Sequence, residues 1–117
     1  MSENTIDLDF GTTAQKQQDG EKLPVVLLAL DQGKYDMARS LDELRALADA
    51  NGMEAVAEVT QKRSTPEAAT LLGEGKVVEA RLVCQNLNAA AAVFDGELTG
   101  SQIRNLSAAL QVEVLDR

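Results

Sequence analysis

The chain has 117 residues, room for one domain and a short tail, with 44% apolar but only 3% aromatic residues, so its core must be built from Leu, Val and Ala. Eleven Lys and Arg against nineteen Asp and Glu leave a net charge of −8, which argues against indiscriminate attachment to nucleic acid or anionic membrane. There is no histidine and one cysteine, Cys84, which excludes histidine-activated nucleophiles, histidine metal ligands and an intrachain disulfide, and fits a reducing cytoplasm.

Residues 1–22 are polar, carry Gly11 and Gly20 and show no sustained periodicity. They are expected to form a disordered tail, although Ile6, Leu8 and Phe10 alternate as a short edge strand would. Pro24 to Leu30 is a continuous apolar run, the pattern of a strand buried on both faces of a parallel sheet. Its apolar part, Val25 to Leu30, is as long as any apolar run in the chain. It is too short to span a membrane, and no signal core precedes it.

Ser40-Leu-Asp-Glu43 reads as a capping box opening a helix with Leu41, Leu44, Leu47 and Ala48 inward, stopped by Asn51-Gly52. Met53 to Thr60 alternates, with Ala55, Ala57 and Val59 on one side, and predicts a strand near a sheet edge. A polar loop around Pro66 follows the basic pair Lys62-Arg63. The next helix is expected from about Gly75 to Leu87, with Val77, Ala80, Cys84 and Leu87 as its buried stripe. Ala90 to Phe94 reads as a short strand ended by Asp95-Gly96. Thr99 with Gln102 makes a second capping box, opening a helix with Ile103, Leu106, Ala109 and Leu110 inward. Val112 to Leu115 is a last strand. The order βαβαβαβ over residues 23–117 predicts an α/β domain, a small, open, mostly parallel four-stranded sheet with helices on both faces.

The chemistry-bearing candidates are few. Gly73-Glu-Gly-Lys76 opens a helix, where free N–H groups attract anions and glycines let a phosphate approach. It is not a P-loop, because Val77 follows the lysine and Ala69 stands where the first glycine is required. Lys62 and Arg63 could meet RNA phosphates. Residues 60–76 hold three basic and two acidic side chains, an excess of only +1. Asp31, Asp95 and Glu97 fall near strand ends and read as turn and cap residues, and Cys84 as a small core residue. Ser40, Thr99 and Ser101 lack an activating partner, so no catalytic constellation and no metal site is expected.

Three stretches together resemble the N-terminal domain of the HflX family of ribosome-associated GTPases. They are Glu58-Val-Thr-Gln-Lys-Arg63 with Pro66 and Thr70-Leu-Leu-Gly-Glu-Gly-Lys76; Phe94-Asp-Gly-Glu-Leu-Thr-Gly-Ser-Gln-Ile-Arg-Asn-Leu106; and Val112-Glu-Val-Leu-Asp-Arg117. The likeness covers about residues 25–117. Gly100 stands where that family often has proline, and the tail has no counterpart. The resemblance implies a non-catalytic module that helps a full-length protein engage the large ribosomal subunit and its rRNA. The residues it carries over are Lys62 and Arg63 with Arg104 and Asn105 for RNA contact, and Gly73, Gly75 and Lys76 for phosphate, with Gln102 as a cap. It implies no cofactor in this chain itself: GTP and Mg²⁺ belong to the family's GTPase domain, which with the family's long helices is missing here, and adenine-nucleotide binding is a further expectation. A small phosphate- or nucleotide-binding domain, and a packing domain that self-associates when its neighbours are missing, stay open as alternatives.

Overall fold

The computed structural model describes residues 21–117. The expected tail therefore lies, up to residue 20, outside the described residues, as do Ile6, Leu8 and Phe10. Seven elements follow in the expected alternation: β1 (Leu23–Asp31), α1 (Met37–Ala50), β2 (Met53–Lys62), α2 (Glu74–Asn86), β3 (Ala91–Phe94), α3 (Gly100–Leu110) and β4 (Glu113–Asp116). All strand pairs are parallel, in the order β2-β1-β3-β4. The apolar run becomes β1, flanked on both sides, with Val25 to Ala29 fully buried. Burying each of its large side chains stabilises the fold by roughly 1.5–3 kcal/mol.

The two faces of β1 feed two cores. Val25, Leu27 and Ala29 pack with Leu41, Leu44 and Ala48 of α1. Val26, Leu28 and Leu30 pack with Val77, Ala80 and Cys84 of α2 and Leu106 and Leu110 of α3. One helix therefore covers one face and two cover the other.

β2 is the edge strand its alternation predicts, but its apolar residues do not share one side. The register steps from Val25 opposite Ala55 to Val26 opposite Ala57, skipping Val56. This β-bulge reverses the inward parity of everything after it. Met53 and Ala55 pack under α1, whereas Ala57 and Val59 face α2 and α3. The bulge's Ala55 carbonyl accepts from Arg45 of α1 at 3.0 Å, and the same guanidinium pairs with Glu58 at 2.5 Å. These contacts cover an edge that would otherwise offer free backbone groups.

Three further expectations are corrected. α1 begins at Met37, one turn before Ser40, because the Asp36 carboxylate accepts from the Arg39 N–H at 3.2 Å and takes the N-cap role. Ser40 is buried inside the helix. Leu87 is not part of the buried stripe of α2: it is the C-cap residue and is 43% exposed. Asp95 is more than a turn residue, being buried in a polar cluster. The second capping box is present as expected, with the Gln102 N–H donating to Thr99 Oγ1 at 3.1 Å and the Thr99 N–H to Gln102 Oε1 at 3.0 Å.

Candidate functional site

In an open parallel sheet, ligand sites gather outside the carboxyl ends of the strands, above all where the chain reverses its direction of winding. Here that point lies between β1 and β3. The chain leaves β1 for α1 on one face and leaves β3 for α3 on the other.

The loops at this end are tied to one another. The Arg63 N–H donates to the Asp31 carbonyl at 3.1 Å, and Gln32 Nε2 donates to the Ser64 carbonyl at 3.1 Å, joining the β1–α1 and β2–α2 loops. The second loop folds back on itself through paired backbone bonds between Glu67 and Leu71, at 3.2 and 2.8 Å. That hairpin puts Leu71 at a left-handed φ of 66°, an unusual conformation for a branched residue. The polar side of α3 grips the same loop: Gln102 Nε2 donates to the Ala68 carbonyl at 3.2 Å and Asn105 Nδ2 to the Ala69 carbonyl at 3.0 Å. Gln102 thus caps its own helix and holds the loop, while Arg104 donates to Ser101 Oγ at 3.2 Å.

The start of α2 is built by the bulge in β2. With parity reversed, Gln61 points to the α2 face, and its Oε1 accepts from the Gly73 N–H at 2.7 Å. Gly73 is the N-cap and contributes no side-chain bond of its own. A Cβ on it would stand 2.6 Å from the Arg63 guanidinium, so glycine is needed for that side chain to lie across the helix start. Gly75 faces open space. The N–H groups of Glu74, Gly75 and Lys76 have no partner among the described residues. Lys76 pairs with Glu79 at 3.0 Å and Arg63 with Glu67 at 3.6 Å. Lys62 ends β2, exposed and opposite Asp31, with no side-chain partner among the described residues.

At the switch point lies a cluster the sequence reading did not assemble. Ser40 Oγ donates to Asp95 Oδ2 at 2.6 Å, Arg117 Nε donates to Asp95 Oδ1 at 2.9 Å, and Arg117 Nη2 donates to the Ser40 carbonyl and hydroxyl at 3.1 and 3.0 Å. Glu43 lies 3.5 Å from the same guanidinium. Beside it, Asp116 Oδ2 accepts from the Leu98 N–H at 2.6 Å. The cluster joins α1, the end of β3 and the end of β4. Its members are 55 and 77 residues apart in sequence, so no spacing motif could have revealed them. Next to it, Tyr35, Asp36, Arg39, Ser40 and Glu43 line a shallow cleft of about 260 Å³. Burial, followed by the charges of Asp95 and Asp31, raises the Tyr35 pKa above its ordinary 10.0, against a smaller lowering by Arg117.

Burial raises the pKa of the Cys84 thiol and removes it from reach. Among the described residues no His, Cys, Asp and Glu cluster could hold a metal ion, and no helix is long and apolar enough to cross a membrane.

The family model described as GTP-binding GTPase N-terminal matches residues 38–117. The chain is similar to the GTPase HflX of Lacrimispora saccharolytica, 40% identical over 94 residues that make up 80% of this chain and 22% of the relative. It is 35% identical to the GTPase HflX of Caldanaerobacter subterraneus subsp. tengcongensis over 97 residues, 83% of this chain and 22% of that protein. It is 34% identical to the GTPase HflX of Escherichia coli over 98 residues, 84% of this chain and 22% of that protein. The chain spans less than a quarter of the length of these relatives.

Proposed function

The chain belongs to the GTP-binding GTPase N-terminal family, as an N-terminal domain of the HflX type, and from that premise we propose that it is a non-catalytic module by which an HflX-type protein engages the rRNA of the large ribosomal subunit. The observation that supports this is the basic pair at the end of β2. Lys62 is exposed, and its ammonium group has no partner among the described residues. Arg63 is held over the α2 start by a loop fastened from both sides. A rigid mount for cations is what phosphate contact needs, since phosphate contacts set position and carry no sequence information themselves. With a net charge of −8 on the chain, the contact is local and weak, and falls as salt rises.

Co-sedimentation with purified large subunits at low salt tests the reading. The chain should pellet with subunits, and Lys62→Ala with Arg63→Ala should release it. Failure of the wild-type chain to pellet would remove the ribosome reading, and pelleting unaffected by the double change would remove the basic pair from it.

The open start of α2 favours a second reading, binding of a nucleotide phosphate at Gly73 to Lys76. Three N–H groups without a partner among the described residues, an unobstructed Gly75 and the adjacent Arg63 suit an anion, and Glu74 opposes it. Titration with ATP and GTP, followed by backbone amide shifts, decides this. Shifts clustered at Gly75 support it, and a flat response at millimolar nucleotide rejects it.

A further inference from the structure

The turn from α1 to β2 rests on Asn51 and Gly52, which take no part in the contacts proposed above. The chain has five asparagines. Asn4, Asn86, Asn88 and Asn105 are followed by Thr, Leu, Ala and Leu, and Asn51 alone precedes a glycine. The fold requires that pair. Asn51 is the C-cap of α1, and Gly52 carries a φ of 80°, left-handed backbone that glycine enters without strain. The same missing side chain leaves the Gly52 nitrogen unshielded. Of the five asparagines, Asn51 therefore has the least hindered backbone nucleophile beside it.

That nitrogen can attack its neighbour. The Gly52 amide gives its proton to a solvent base and bonds to Asn51 Cγ. The Cγ–Nδ2 bond breaks, and the leaving nitrogen takes a proton from water and departs as ammonia. Water then opens the cyclic imide at one of its two carbonyls, leaving aspartate or isoaspartate at position 51. Water is the only co-reactant, and nothing is oxidised or reduced.

In the folded chain each reacting group is held elsewhere. Asn51 Nδ2 donates to the Leu47 carbonyl at 2.8 Å, and the Gly52 N–H donates to the Asp49 carbonyl at 3.2 Å. The Gly52 carbonyl accepts from the Leu23 N–H at 3.0 Å, which fastens the turn to the start of β1. Asn51 is 7% exposed, and Ala48 and Met53 on either side of the turn are fully buried. Attack needs the side chain to leave Leu47 and the nitrogen to leave Asp49 together, so the turn must first unravel.

We propose that Asn51–Gly52 is a self-modification site, closed in the folded domain and opened when the α1–β2 turn unravels, so that deamidation there marks chains that have been open. The mark reinforces itself. A carboxylate accepts and cannot donate, so the bond to the Leu47 carbonyl is lost. The new charge stands at the carbonyl end of α1, the negative pole of the helix, in a nearly closed site. The isoaspartate product also lengthens the backbone by one carbon just before Gly52 meets Leu23.

The test incubates the 117-residue chain in mildly alkaline buffer, with and without enough guanidinium chloride to unfold it, and follows the asparagine peptides by mass spectrometry. In denaturant, conversion at Asn51 should outrun conversion at Asn86, Asn88 and Asn105. In native buffer it should be slower by about tenfold or more, because the reaction waits on the open fraction. Asn51→Asp, the product made directly, should unfold at lower urea than wild type, and at lower urea than Asn51→Ala, which loses the bond without adding the charge. Equal rates at Asn51 with and without denaturant would overturn the protection by the fold. Conversion in denaturant no faster at Asn51 than at Asn88 would overturn the site itself. A urea midpoint for Asn51→Asp equal to that of wild type would overturn the self-reinforcement.

Discussion

At the scale of single residues, the Arg117–Asp95 pair is where the domain is most exposed to damage. The Asp95 side chain is 3% exposed and the Arg117 side chain 22%. Removing one partner strands the other's charge away from water, which costs far more than the pair itself contributes. Arg117→Ala is therefore expected to destabilise the chain by about 3 kcal/mol in urea unfolding. Pairing it with Asp95→Asn should recover part of that loss, because the stranded charge is gone. Strict additivity of the two changes would refute the coupling. Tyr35 supplies a second prediction, in pH. Its raised pKa means the folded state holds the phenolic proton more tightly than the unfolded chain does. The associated stability is present below about pH 10 and is lost as pH climbs through the folded value. Tyrosinate absorbance should show a midpoint above 10.0 in the folded chain, returning to the ordinary value in urea. Identical midpoints in the two states would contradict the burial and the facing carboxylates.

At the scale of elements, the bulge at Val56 determines how β2 meets its neighbours. Without it, Gln61 would face α1, and the Gly73 N–H would lose its acceptor. Gln61→Ala removes that acceptor from a buried donor and is expected to cost about 1 kcal/mol in urea unfolding, while Gln61→Glu should restore most of it. A neutral Gln61→Ala would mean that the helix start does not depend on this bond. The caps divide in the same way: Asp36→Ala should cost about 1 kcal/mol as a lost N-cap, whereas Ser40→Ala should act through Asp95. The alternation of elements, the buried run of β1, the edge character of β2, the Thr99–Gln102 box and the Gly73 helix start were all legible, because each is written in residues a few positions apart. The bulge was not, since Ala55, Ala57 and Val59 alternate perfectly in sequence and only the register against β1 shows that Val56 is skipped. The early start of α1 was hidden because Asp36 and Ser40 are both good caps. At the candidate site, Lys62, Arg63 and Gly73 stood out locally, but the Gln102 and Asn105 grips and the Ser40–Asp95–Arg117 cluster arise from tertiary packing.

At the scale of the whole molecule, two surfaces compete to explain association, and salt separates them. The outer face of α2 carries Val78 and Leu82, 53% and 51% exposed and one turn apart, with Leu87 beyond them. An apolar stripe of this kind could pair two copies of the chain. Each copy carries −8, so like charge opposes pairing at low salt, and added salt screens that repulsion. Contact with RNA at Lys62 and Arg63 runs the other way, because salt competes with lysine and arginine for phosphate. Sedimentation velocity from 20 to 300 mM salt (about a fourfold fall in Debye length) should therefore show self-association rising while RNA binding declines. Val78→Ser with Leu82→Ser should abolish the first and leave the second unchanged, since both residues are exposed on α2 and neither change alters the charge that the phosphate contact depends on. A chain that stays monomeric across that range would leave the stripe without a role in self-association. RNA binding that rises with salt would instead place it on apolar surface and remove Lys62 and Arg63 from the contact.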